Sequence, residues 1–240
     1  MTESGGRQLN GMSKLFVIGD IHGAYRALRQ CLDRSGFDYG NDHLICLGDV
    51  CDGWPETKDC IDELLKIKEL TYVMGNHDFW ASHWMNTGDA ESVWLSQGGD
   101  ATVKSYMDMI PTRHREFLAG ALPYFLSGNT LFVHGGIDTQ RSLDEQGMTT
   151  FLWDRSLAAK ALELTAEKGI GNLTTFDEVY IGHTPIPYEK PILSGGVWLM
   201  DTGAGWDGVL SMMDVKTKEI FTSDKVPELY PGVAGRKRKY

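Results

Sequence analysis

The chain has 240 residues, enough for one large domain or two small ones and for a core that needs no disulfide staples. It carries 23 Lys and Arg against 33 Asp and Glu, a net charge of −10, which excludes nucleic acid and anionic membrane as partners held by counterion release. Charged residues make up 23% and hydrophobic residues 42%; no uncharged apolar run is long enough for a bilayer and no leader pattern opens the sequence, so a cytoplasmic protein is expected.

Residues 1–11 are polar and Gly-rich and read as a tail or a cloning remnant outside the fold. Leu15-Phe16-Val17-Ile18 is a short apolar run closed by Gly19, which predicts a buried strand. Residues 24–34 place Ala27, Leu28, Cys31 and Leu32 at helical spacing. Leu44-Ile45-Cys46-Leu47 predicts a second strand, closed by Gly48. Residues 57–68 predict a helix with Ile61, Leu64, Leu65 and Lys68 on one side, and residues 70–74 a third strand closed by Gly75. This β-α-β-α-β opening implies a parallel sheet with right-handed crossovers.

Residues 78–122 read as mostly helical, and Phe79, Trp80, Trp84 and Trp94 suggest a helical cap over the sheet edge. Strand-like runs follow at 131–133, 179–181, 197–200, 209–213 and 220–222. Consecutive strands late in the chain predict a second, mixed sheet stacked on the first, in an α/β class fold built as a four-layer α/β/β/α sandwich. The absence of repeats or low-complexity linkers argues for one domain, and the GRKRKY end reads as a solvated basic tail. Cys31, Cys46, Cys51 and Cys60 form no Cys-x-x-Cys pair and read as reduced thiols.

Each early strand ends in Gly followed by a residue of metal-ligand type. The segments are Gly19-Asp20-Ile21-His22-Gly23, Gly48-Asp49-Val50-Cys51-Asp52 and Gly75-Asn76-His77-Asp78; later come Val133-His134-Gly135-Gly136 and Ile181-Gly182-His183-Thr184. In a parallel sheet the carboxyl ends of the strands share one edge, where such sheets place their sites. Asp, Asn and His suit Mn, Fe, Zn and similar divalent ions. A carboxylate can bridge two such ions about 3.5–4 Å apart, the arrangement that clamps both oxygens of an in-line displacement at phosphorus. His43, His83 and His114 fall outside the set and read as ordinary surface or core histidines.

The set resembles the calcineurin-like metallophosphoesterases, and within them is most similar to bacterial and phage phosphoprotein phosphatases of the lambda type. The resemblance spans Asp20 to His183 and implies a phosphatase domain over residues 12–226, with 227–240 as a C-terminal tail. It implies two divalent metal ions, manganese first, with iron, zinc or nickel as the others. Asp20 and His22 would bind one ion, Asp49 would bridge, and Asn76, His134 and His183 would bind the second. His77 would act as general acid, backed by Asp52, while a metal-bridging hydroxide attacks phosphorus. The implied substrates are phosphorylated Ser, Thr or Tyr in proteins, or small-molecule phosphates.

The departures bear on substrate binding. Gly53 and Met74 stand where phosphoprotein phosphatases carry arginines, Trp54 where they carry Gly, and Asp78 where they carry Glu. Asp78 and the aromatic residues favour the alternative of a dinucleoside-polyphosphate or other nucleotide phosphoesterase. No Lys or Arg occurs in 35–57 or 69–103, so the second and third motifs bring no cation of their own. Arg155, in Phe151-Leu152-Trp153-Asp154-Arg155, stands where bacterial members grip phosphate, and is assigned that role with Asn76 beside it. Trp54, Phe79, Trp80 and Trp84 are expected to include an apolar wall for the leaving group. A non-catalytic scaffold would be expected to lose ligands or His77; none is lost here.

Overall fold

Period-two alternation in the early apolar runs decides the layering. The computed structural model describes residues 13–107 and 109–236, so residues 1–11 lie outside the described residues. Strand β1 (Leu15–Ile18) turns Phe16 and Ile18 towards helix α1 (Tyr25–Ser35) and Val17 to the opposite face. Strand β2 (His43–Cys46) does the same with Leu44 and Cys46 against Ile45. Helix α2 (Thr57–Leu64) and strand β3 (Glu69–Tyr72) complete the opening, and β1-β2-β3 are parallel, with Leu15 opposite His43 and His43 opposite Glu69. Helix α1 buries the four residues its spacing picks out, Ala27, Leu28, Cys31 and Leu32. Helix α2 stops short of the expected 68, because Ile67 drops into the core and the Lys68 N–H bonds to the Tyr39 carbonyl.

The middle of the chain is helical, as read. Helices α3 (Asn76–Thr87), α4 (Ser92–Trp94), α5 (Asp100–Ser105) and α6 (Thr112–Ala119) follow one another, with a π turn at Leu95–Gly99 between α4 and α5. They cap the side of the first sheet over α2, with Trp94 in the core.

The second sheet has the order β4-β5-β6-β8-β7, from β4 (Tyr124–Ser127), β5 (Thr130–Val133), β6 (Glu178–Ile181), β7 (Ile192–Ser194) and β8 (Val197–Leu199). Strands β5, β6 and β8 run parallel; β4 and β7 pair antiparallel at the edges. Leu131, Val133, Val179, Ile181, Val197 and Leu199 form the core that includes Phe151 of α7 (Met148–Trp153) and Leu157 of α8 (Ser156–Ala166). Phe132, Tyr180 and Trp198 face the other way, meeting Val17, Ile45 and Met213 between the sheets. Three separate hydrophobic clusters thus define the four layers expected.

Two strands lie elsewhere than the sequence suggests. Strands β9 (Ser211–Asp214) and β10 (Ile220–Thr222) join the first sheet, not the second, giving the order β10-β9-β1-β2-β3. Strand β9 pairs antiparallel with β1, which would otherwise be an open sheet edge. Strands β4 and β7 were not anticipated; both are partly exposed edge strands in hairpins. The C-terminal tail expected over 227–240 packs onto the fold in its described part. Helix α9 (Val226–Leu229) leads to Tyr230, which is buried, stacks on Trp54 at 5.0 Å and hydrogen-bonds Glu56. An aromatic ring with an apolar slot to fill does not stay in water. Residues 237–240 lie outside the described residues. All four cysteines are buried free thiols, and no described helix is long and apolar enough to cross a membrane.

Candidate metal centre

The strand ends of both sheets converge. Asp20 and His22 follow β1, Asp49 and Asp52 follow β2, and Asn76 and His77 open α3 directly after β3; His134 follows β5 and His183 follows β6. The chain turns so sharply that His22 (φ 51°), Asp49 (48°), Asp52 (75°) and His183 (62°) are left-handed. Such strain costs on the order of 1–3 kcal/mol per residue and persists where the surroundings over-determine it. Here they do: the N–H groups of Ile21 and His22 both donate to the Asp49 carbonyl, at 3.0 and 2.8 Å, and the His77 N–H donates to Asp49 Oδ1 at 2.9 Å. Gly75 is required by close approach, since a Cβ there would lie 2.2 Å from Asp49 Oδ1. Asp78 ties the second and third motifs together, accepting from Cys51 N–H (3.0 Å) and Gly75 N–H (3.2 Å). The carboxylate is thus engaged within the site's own backbone.

Two buried groups result, Asp20-His22-Asp49 and Asp49-His134-His183, each with ligand atoms within 4.8 Å of one another and with Asp49 common to both. His22 Nε2 lies 3.6 Å from Asp49 Oδ2, and His134 Nε2 lies 3.4 Å from Asp49 Oδ1 and 3.1 Å from Asn76 Oδ1. The other ring nitrogens face backbone carbonyls, His134 Nδ1 at Leu47 (2.8 Å) and His22 Nδ1 at Cys51 (3.1 Å). With Nδ1–H given to those carbonyls, each Nε2 faces acidic oxygens across a short gap, which a proton bridges on His134 and Arg236 Nη1–H covers on His22; a divalent ion would take the place of both.

The electrostatics fit the same conclusion. Burial pulls His134 down, but Asp49 and Asp20 hold it up at about 9; it takes up a proton where an ion's charge is wanted. Burial works against the charge on Asp49 too, yet His134 and His77 keep it well below the carboxylate range. Asp20 is raised well above that range by burial and by neighbouring Asp201. Asp201 is itself buried, with Oδ2 unpartnered, and burial pushes it up to about 6. Hard oxygen and imidazole donors, grouped around a shared carboxylate and short of positive charge, suit two divalent ions.

Beside these groups, His77 Nδ1 lies 2.6 Å from Asp52 Oδ2. Trp94 Nε1–H donates to the same oxygen (2.6 Å) and the Thr102 hydroxyl to Oδ1 (2.7 Å). Burial pushes Asp52 up to about 8 and His77 down to about 3, so near neutrality the pair holds one transferable proton. Whichever partner carries it, His77 Nε2 keeps a hydrogen.

A pocket of about 220 Å³ opens over the centre, lined by Asp49, Asn76, His77, Trp80, Trp153, His183 and two arginines, Arg155 and Arg236. Arg155 precedes α8 and donates to Thr184 Oγ1 at 3.3 Å, next to His183. Of the four aromatic residues expected there, Trp80 lines the pocket, against His77 with ring centroids 5.4 Å apart, and Trp153 lines it beside Trp80. Trp54 does not line it: it is 1% exposed and donates to the Ala204 carbonyl at 2.7 Å. Trp84 packs on Trp94 and Tyr106. Sequence reasoning missed Trp94, Thr102, Asp201 and Arg236; Asp201 alone carried a signal, directly following the β8 run as Asp20 and Asp49 follow the residue closing theirs.

Stacked sheets with Asp, Asn and His donors meeting at their common edge, and a His–Asp pair beside them, define a metallophosphoesterase. The chain belongs to the calcineurin-like phosphoesterase family, which matches residues 13–204. It is similar to serine/threonine-protein phosphatase 1 of Salmonella typhimurium, 26% identical over 84% of this chain and 92% of that one. It is also similar to a symmetrical bis(5'-nucleosyl)-tetraphosphatase of Pseudomonas fluorescens, 23% identical over 86% of this chain and 93% of that one. Among solved structures, a protein serine/threonine phosphatase from Saccharomyces cerevisiae shares the fold with a TM-score of 0.61 at 13% identity, covering 94% of this chain and 84% of the other.

Proposed function

We propose that the protein is a dinuclear-metal-dependent phosphomonoesterase that dephosphorylates Ser and Thr in proteins, with phosphotyrosine and small aryl phosphates as further substrates. The observation that carries this reading is the opening of His77, held from behind by Asp52, into the same small pocket as Asp49, Asn76, His183 and Arg155. Asp20, His22 and Asp49 would hold one ion, and Asp49, Asn76, His134 and His183 the other, manganese first. When bound, the ions supply charge against the phosphate and lower the pKa of water.

The chain's own residues supply the rest. The guanidinium of Arg155 faces the phosphate and can grip two of its oxygens. The Asn76 amide, at the start of α3, offers N–H groups to the phosphate, where the positive end of the helix dipole favours an anion. His77 presents a proton on Nε2 to the leaving oxygen, and Asp52, fixed by Trp94 and Thr102, aims the ring and replenishes its charge. Four buried thiols agree with a cytoplasmic setting.

A second reading has one observation in its favour. A cavity of about 740 Å³ lies beside the metal pocket, shares Gln97 and Arg236 with it, and is lined by Pro187, Tyr188 and Trp206, which leaves room for a nucleoside. Assay of phosphoserine, phosphothreonine and phosphotyrosine peptides, p-nitrophenyl phosphate and diadenosine tetraphosphate, with Mn²⁺ against Zn²⁺ and Ni²⁺, separates the two. The proposal expects phosphomonoesters to be turned over best, with Mn²⁺, and all activity to vanish on chelation. A higher kcat/KM on the dinucleotide overturns it.

A further inference from the structure

An anion over this centre needs more cation than the sequence motifs provide, since the segments carrying the second and third motifs contain no Lys or Arg. One comes from far along the chain. Arg236 reaches the same pocket as Arg155, from the opposite flank: Arg155 sits by Thr184 on the His183 side, and Arg236 sits by His22.

Its placement is built. The Arg236 N–H donates to the Gly205 carbonyl (3.0 Å) and Nε–H to the Gln97 carbonyl (3.0 Å), while the guanidinium lies 4.3 Å over the Trp206 ring. The aliphatic stem runs through a gap between Gly53 and Gly98. A Cβ on Gly53 would lie 3.0 Å from Arg236 Cγ, and one on Gly98 3.1 Å from it. Gly53 (φ 98°) and Gly98 (φ 110°) hold backbone that a side chain would strain as well as fill. Upstream, Trp54 stacks on Tyr230, and a Cβ on Gly235 would strike the Trp54 ring at 2.7 Å. The adjacent pair Gly53-Trp54 is thus a dock for this segment: the indole anchors it and the glycine lets the arginine through.

We propose that Arg236 is a phosphate-gripping residue of the site, carried in by the C-terminal segment and opposed to Arg155 across the pocket. Its Nη1–H donates to His22 Nε2 at 3.1 Å. That lone pair can serve one partner, so an ion taking it leaves the guanidinium free at the pocket wall with Nε still tied to Gln97. A planar fork held at one nitrogen and stacked on Trp206 is pre-oriented for two oxygens of an anion. The inference rests on the phosphomonoesterase reading only for the identity of the anion as a phosphate ester.

The test is calorimetric titration of inorganic phosphate into the Mn²⁺-loaded wild type, Arg236→Ala, Arg236→Lys and Trp54→Phe, with metal content and thermal melting on each and steady-state kinetics on p-nitrophenyl phosphate. Arg236→Ala is expected to weaken phosphate binding about tenfold or more, as loss of a charge-assisted pair does. KM should rise in step, with kcat changing less and both ions retained. Arg236→Lys should recover part of the loss, and Trp54→Phe, which keeps the ring stack but loses the indole N–H, should show a smaller loss in the same direction. Unchanged phosphate affinity in Arg236→Ala with both ions present overturns the proposal; so does tighter binding, which would make the residue an obstruction. A wild type that binds phosphate through Arg236 yet hydrolyses no phosphomonoester sinks the function proposed above and leaves this inference standing.

Discussion

The first sheet delivers Asp20, His22, Asp49, Asp52, Asn76 and His77 from three successive strand ends, whereas the second delivers His134 and His183 from two. The first set is laced together by its own backbone: Ile21 and His22 on the Asp49 carbonyl, Cys51 and Gly75 on Asp78, His77 on Asp49. The second set is tied across the layers, His134 to the Leu47 carbonyl and the His183 N–H to Asp20 at 3.0 Å. One half of the centre is therefore fixed by local β-α-β geometry. The other is fixed by how well two sheets dock, through Phe132, Tyr180 and Trp198 against Val17, Ile45 and Met213. Asp49 belongs to both.

Breaking the shared residue should erase the difference. Asp49→Asn is expected to strip both ions and bring phosphatase activity to the detection limit, as read by metal analysis and turnover of p-nitrophenyl phosphate. His77→Asn should lower kcat about 10²–10⁴-fold, the usual range for a general acid, with both ions retained; near-normal kcat would remove His77 from its role. Phe132→Ala, a large cavity between the sheets, should cost about 3–5 kcal/mol of stability in denaturant unfolding. The comparison is sharpened if metal titration of that variant shows the His134–His183 group weakened more than the Asp20–His22 group. Equal weakening would mean that docking fixes both halves alike. Trp94→Phe leaves Asp52 one donor short and should reduce kcat about tenfold, the lower end for a supporting hydrogen bond.

The same division governs what could be read from the chain. Asp20, Asp49, Asn76, His134 and His183 were legible because each follows a strand run, and strand ends of a parallel sheet share an edge. The alternation of Phe16, Val17 and Ile18 was enough to separate a helix-facing side from an inter-sheet side. Which sheet β9 and β10 would join was not legible: Met212 and Met213 alternate equally well in either, and the deciding partner is β1 at the far end of the chain. Trp54 was ambiguous for a related reason, since its neighbour Tyr230 comes from α9's far end and no local pattern signals the stack. Arg236 was hidden in a basic terminus whose composition is that of a solvated tail.

The place of β9 has a consequence for how the protein folds. Phe16 faces Asp214 and Ile18 faces Met212, so β1 gains its second neighbour only after about 200 further residues are in place, and closing so long a loop is slow. Until then one side of β1 is an unpaired apolar edge, a template for pairing with another chain. Refolding yield should accordingly fall as protein concentration rises, and a chain cut before Ser211 should aggregate through this strand. Asp20 and His22, early in the sequence, directly follow a strand whose second neighbour arrives late.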